Sequence, residues 1–138
     1  MAEYRKPLPQ PTPETKPFWD GTKAGELRLQ RCQSCSHVYF PPRPFCPECA
    51  SRSVEWFKAS GKGTLHSYVI NHRPAPGFEA PYAIAVVMLA EGVKMMTNMV
   101  GVEQTPEALK LDMPVEVTFE QATDDITLPK WRPVGGAA

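Results

Sequence analysis

No apolar run in this chain approaches the roughly 20 residues that a membrane-spanning helix needs. Residues 1–20 also lack the apolar core of a secretory signal, so the expected address is the cytoplasm. There is no surplus of either charge: Lys plus Arg and Asp plus Glu stand at 15 each among 138 residues, for a formal net charge of zero. Nucleic-acid binders draw much of their affinity from neutralising phosphates, so this balance favours small-molecule or protein partners. A phosphate-cradling loop is missing, because Gly61-Lys62-Gly63-Thr64 has neither the length nor the following helix of a P-loop. His37, His66 and His72 have no Ser, Cys or carboxylate beside them in a recognisable catalytic arrangement. They read as structural or surface side chains, and no catalytic residue is assigned. Internal repeats, coiled-coil heptads and long helices are absent too.

Proline, in contrast, is abundant, at 16 residues, over twice the usual share of about 5%. Pro7, Pro9, Pro11 and Pro13 alternate in an N-terminal tail over residues 1–16. Such spacing favours polyproline-like backbone, read either as a disordered terminus or as an arm that wraps a partner. No proline occurs from residue 82 to residue 105, where a well-paired sheet can form because every residue keeps its ladder donor. Pro17 suits the first turn of a short helix carrying Phe18 and Trp19, which Gly21 or Gly25 would end. Residues 26–30 alternate polar and apolar as a strand leading into Cys32. Residues 53–60 and 64–71 read as one strand direction bent at Gly61 and Gly63. The loop 72–81 is followed by an apolar strand at 82–89, a turn at 90–92 and a returning strand at 93–100. One helical turn is expected near 106–111, then strands at 113–120 and 126–131.

About five strands, glycine bends and a helical turn before the fourth point to a small closed barrel of the OB type. The expected organisation is a tail (1–16), a helix and lead-in strand (17–31), a metal ribbon (32–52), an OB-fold (53–133) and a C-terminal tail (134–138). The fold class is mainly β.

The strongest chemical signal is the cysteine spacing. Cys32 and Cys35 form one Cys-x2-Cys pair, and Cys46 and Cys49 form a second after ten intervening residues. Each pair lets one tight turn present two sulfurs to one ion, and two facing turns complete a tetrahedron. A closed four-thiolate shell leaves no position for substrate, so the site is structural. Thiolates also suit iron, but the ten-residue gap and the attached barrel favour zinc. Rubredoxin-like knuckles place glycine after the second cysteine, whereas this chain has Ser36 and Ala50 there.

Several stretches together resemble the domain-of-unknown-function family 35. They are Pro17-Phe18-Trp19-Asp20-Gly21, the run from Glu26 to Cys32, Pro41-Pro42-Arg43, Cys46-Pro47-Glu48-Cys49, Val54-Glu55-Trp56, Gly61-Lys62-Gly63-Thr64, Tyr82-Ala83-Ile84-Ala85, Glu91-Gly92-Val93 and Leu128-Pro129-Lys130-Trp131-Arg132-Pro133. The resemblance implies a rubredoxin-like zinc ribbon joined to an OB-fold. It further implies a non-catalytic subunit that docks on a thiolase-superfamily enzyme and helps form its acyl-CoA channel. The alternative class is a zinc-ribbon OB protein for single-stranded nucleic acid, which the neutral charge and the 9% aromatic content disfavour.

Both faces of the strand at 82–89 are apolar, and a small barrel buries one of them. The other face needs cover from a partner or from the chain's own ribbon or tail, and Met95, Met96 and Met99 on the returning strand are candidates for an adaptable interface. With a partner in place, Arg73 and Lys62 near the rim are the candidate contacts for CoA phosphates, since basic side chains match phosphate oxygens.

Overall fold

The structure is a computed structural model that describes residues 6–135. The first five residues of the expected tail, and residues 136–138 at the other end, lie outside the described residues. Helix α1 spans Lys16–Lys23, with proline in its first turn and a Lys16–Asp20 ion pair of 2.8 Å on its exposed side. It runs through Gly21, where a Cβ would stand 2.7 Å from Arg28 Cδ. Gly21 thus gives passage to the Arg28 stem and does not stop the helix. The helix ends just before Gly25, whose φ of 78° is left-handed.

Two sheets follow. The ribbon sheet has the order β2-β1-β3, with β1 at Arg28–Cys32, β2 at Val38–Tyr39 and β3 at Val54–Lys58. Strand β3 pairs with β1 along its length, from Arg28 opposite Lys58 to Cys32 opposite Val54. The expectation of one bent barrel strand over residues 53–71 is therefore corrected. The chain changes sheets at residues 59–61, and β4 begins a separate sheet at Lys62.

The second sheet has the order β6-β5-β4-β7-β8, all neighbours antiparallel. Its strands are β4 (Lys62–Asn71), β5 (Tyr82–Leu89), β6 (Lys94–Asn98), β7 (Pro114–Gln121) and β8 (Thr127–Pro133). A bulge between Leu65 and Ser67 turns β4, so that its first residues pair with β7 and the whole strand with β5. Met99 bridges Trp131 in parallel sense and nearly closes the barrel. This is the OB arrangement. The helical turn expected before β7 is present as a turn in which Leu109 N–H reaches Thr105 O at 3.0 Å, and it places Leu109 in the core.

The core alternates along β5. Ala83, Ala85, Val87 and Leu89 are all buried, packing with Leu65, Met95, Met99, Val115 and Trp131. Phe18, Leu27 and Leu29 join the same cluster, so helix, ribbon and barrel share one apolar interior. Within residues 6–15, Lys6 Nζ sits 4.6 Å above the Phe78 ring, while residues 10–14 are exposed.

Candidate functional site

The two cysteine pairs occupy two turns of matching geometry. In the first, Ser36 N–H bonds Cys32 O at 2.9 Å and Cys32 N–H bonds His37 O at 2.9 Å. In the second, Ala50 N–H bonds Cys46 O at 2.9 Å and Cys46 N–H bonds Ser51 O at 2.8 Å. Each turn aims backbone N–H groups at a sulfur: Ser34 and Cys35 donate to Cys32 Sγ at 3.3 and 3.4 Å, and Glu48 donates to Cys46 Sγ at 3.3 Å. Strands β1 and β3 hold the base of the ribbon, while Cys32 and Cys46 are buried and Cys35 and Cys49 face outward.

All four sulfurs lie within 4.8 Å of one another. Across the two turns, Cys32 and Cys49 are 3.6 Å apart and Cys35 and Cys46 are 3.7 Å apart. A tetrahedral ion with metal–sulfur bonds of about 2.3 Å requires sulfurs roughly 3.8 Å apart, so the quartet fits a zinc-sized ion. Electrostatics agree. The Cys35 N–H above all lowers the Cys32 thiol to about 6, helped by the Ser34 N–H. At Cys35 the His37 N–H works in the same direction, yet burial and the other three sulfurs together push that thiol up to about 12. At Cys49 the Ser51 N–H favours the thiolate, but the net effect, led by the Cys32 sulfur, is upward. Four adjacent thiolates repel one another, and a divalent cation among them removes that penalty.

The remaining predicted site residues lie outside the cysteine quartet. Lys62 opens β4, a strand of ten residues, and Arg73 follows two residues after its end. Lys62 is paired with Glu116 at 3.5 Å, whereas Arg73 is exposed on the loop after β4. The histidines lie outside the quartet as well. His37 stacks on Tyr39 with centroids 6.1 Å apart, and His66 and His72 are exposed on β4 and its following loop.

As expected, the barrel buries one face of β5. Tyr82, Ile84, Val86 and Met88 form its outer row and are half-buried, not fully buried. Of the methionines proposed for an interface, Met95 and Met99 fill the core and only Met96, 73% exposed, looks outward. Sequence reasoning missed Val69, 61% exposed on β4. It pairs with Ile84 across the strands, as Met96 pairs with Val86. The bulge at Leu65/Ser67 resets the β4 alternation, which hides Val69 from a simple period-two reading.

Fold and quartet together define the class: a cysteine-held metal ribbon joined to an OB barrel. Residues 19–55 match the family model for the ChsH2 rubredoxin-like zinc ribbon domain, and residues 56–120 match that for the ChsH2 C-terminal OB-fold domain. The chain belongs to the DUF35 family. It is 39% identical over 118 residues to the "Probable enoyl-CoA hydratase alpha subunit" of Thermomonospora curvata, covering 84% of this chain and 36% of that protein. It thus spans just over a third of that relative. A DUF35 domain-containing scaffold protein of Methanothermobacter thermautotrophicus is 35% identical, over 72% of this chain and 75% of that one. Among solved structures, a chain of the Ltp2-ChsH2(DUF35) aldolase superposes with a TM-score of 0.81 at 35% identity, covering 91% of this chain and 98% of that one.

Proposed function

We propose that this chain is a non-catalytic subunit that docks on a thiolase-superfamily enzyme and helps form its acyl-CoA channel. The observation that carries the reading is the outer face of the barrel sheet. Val69, Ile84, Val86, Met88 and Met96 make a contiguous apolar strip there, and none of the five belongs to the core cluster. Monomers rarely expose such strips without a partner. Relatives named as a hydratase subunit, a scaffold and part of an aldolase support a role inside a complex. The ion held by Cys32, Cys35, Cys46 and Cys49 is zinc in this reading, and its part is to stiffen the ribbon. Reduced thiols at ligand spacing suit the cytoplasm, and no helix among the described residues is long and apolar enough to cross a membrane. Of the two candidate CoA contacts, Arg73 is the stronger, because its guanidinium has no ion pair among the described residues, whereas Lys62 is engaged by Glu116.

The test is binding of the cognate thiolase-like protein by wild type and by Val86→Glu and Met88→Glu, each checked for fold and metal content. Both variants are expected to lose at least about tenfold in affinity, since each buries an unpaired charge in the contact. Undiminished binding by two folded variants would remove this face as the dock. In the purified complex, Arg73→Ala is expected to weaken acyl-CoA binding, and an unchanged affinity takes that residue out of the site.

A further inference from the structure

A cleft opens at the barrel seam, where β6 and β8 form no continuous ladder. They are joined by the Met99–Trp131 bridge just past β6 and by Thr97 Oγ1, which donates to Pro129 O at 3.4 Å. Phe18 and Trp19 of α1 and Phe40 of the ribbon line it together with residues of both strands, and its volume is about 250 Å³. The lining is mostly apolar except where Lys130 and Asn98 meet. Lys130 is only 8% exposed, and its ammonium donates to Asn98 Oδ1 at 3.2 Å. The Asn98 amide is oriented by its own donation to Ala83 O at 2.8 Å. An ammonium carries three donors, and this is its one acceptor among the described residues. No carboxylate forms an ion pair with Lys130 among them either. Burial, above all, holds Lys130 below the ordinary lysine range, with Glu120 opposing and Lys6 adding to it. A buried cation short of acceptors is costly and gains strongly from an anion brought to it.

We propose that the seam cleft binds a small apolar carboxylic acid, its carboxylate paired with Lys130 and its hydrocarbon part held among Phe18, Trp19, Phe40 and Leu128. The volume lies below the range of roughly 300–1,000 Å³ typical of sites for drug-sized ligands, so the cleft suits a short acid. The inference stands apart from the docking reading, since it needs neither the enzyme partner nor CoA.

Octanoate and octan-1-ol, matched in chain length, are the probes, titrated into the metal-loaded full chain. The Trp19 indole N–H and the Met95 and Met96 methyl resonances report on the cleft. Octanoate at millimolar concentration is expected to shift them and to bind at least about tenfold more tightly than octanol, equivalent to about 1.4 kcal/mol. Lys130→Met is expected to abolish that preference. Leu128→Trp, filling the cleft from its wall, is expected to abolish both sets of shifts while metal content is kept. Equal binding of the two probes by wild type, or no response to octanoate, overturns the assignment. That comparison requires no variant and stands even where Lys130→Met fails to fold.

Discussion

At Ser36 and Ala50 the backbone takes φ values of 66° and 64°, a left-handed conformation that costs an L-residue roughly 1–2 kcal/mol. Both residues follow the second cysteine of a pair, where the chain must bend sharply to return its N–H to the carbonyl of the first cysteine. Glycine adopts this conformation freely, at a cost of about 0.4–1 kcal/mol from its looser unfolded chain. Ser36→Gly and Ala50→Gly are each expected to stabilise the metal-loaded protein by about 0.5–1 kcal/mol, read as a raised urea midpoint. A lowered midpoint in both would show that the side chains contribute more than the strain costs. The sulfurs make a second prediction at this scale. An ordinary cysteine thiol, with a pKa of about 8.5, is already mostly protonated at pH 7, and the quartet shifts Cys35 and Cys49 further upward. Zinc uptake at pH 7 is therefore expected to expel at least those two protons. Calorimetry in buffers of different ionisation enthalpy measures them, and a heat independent of buffer would contradict the assigned ligands.

Strand β4 carries the sharpest constraint at the scale of elements. At Gly63 it lies between Leu89 of β5 and Val115 of β7. A Cβ there would stand 2.5 Å from Met88 O and 3.0 Å from Val87 Cγ1. The first of these is backbone and cannot swing aside. Gly63→Ala is expected to destabilise the barrel by about 1–3 kcal/mol through overpacking, visible as a lower urea midpoint with an unchanged slope. A midpoint within error of wild type would mean that β4 and β5 can part at this point without loss. From the sequence Gly63 reads as a bend, whereas the bulge of β4 falls at Leu65/Ser67 and Gly63 serves the close approach of β5. That β3, a few residues earlier, belongs to the ribbon was not legible. Strand pairing depends on which distant chain comes alongside, and Arg28 to Cys32 competes successfully for it.

The whole molecule joins two units with different sources of stability. The barrel has a continuous apolar interior around Leu65, Val87, Val115 and Trp131, while the cysteine end of the ribbon is held mainly through its four sulfurs. Metal removal by a strong chelator is expected to abolish hydrogen-exchange protection in Arg28–Cys32 and Val54–Lys58 and to spare Tyr82–Leu89. Loss of protection throughout would show that the shared core of Phe18, Leu27 and Leu29 makes the chain a single cooperative unit. Cys46→Ser is expected to reproduce the chelated state, with metal content well below one ion per chain.

The sequence by itself determined the metal quartet, the mainly β class and the apolar character of both faces of β5. Each of these follows from spacing within a few residues: two sulfurs on one turn, side chains alternating along a strand, proline excluded from paired backbone. The tertiary structure alone decided which β5 face turns inward, and that Met95 and Met99 belong to the core while Val69 and Met96 look outward. It also brought Lys130 and Asn98 together across the seam. These outcomes depend on strand register, on one bulge and on barrel closure. Such features join residues tens of positions apart, so no local pattern encodes them.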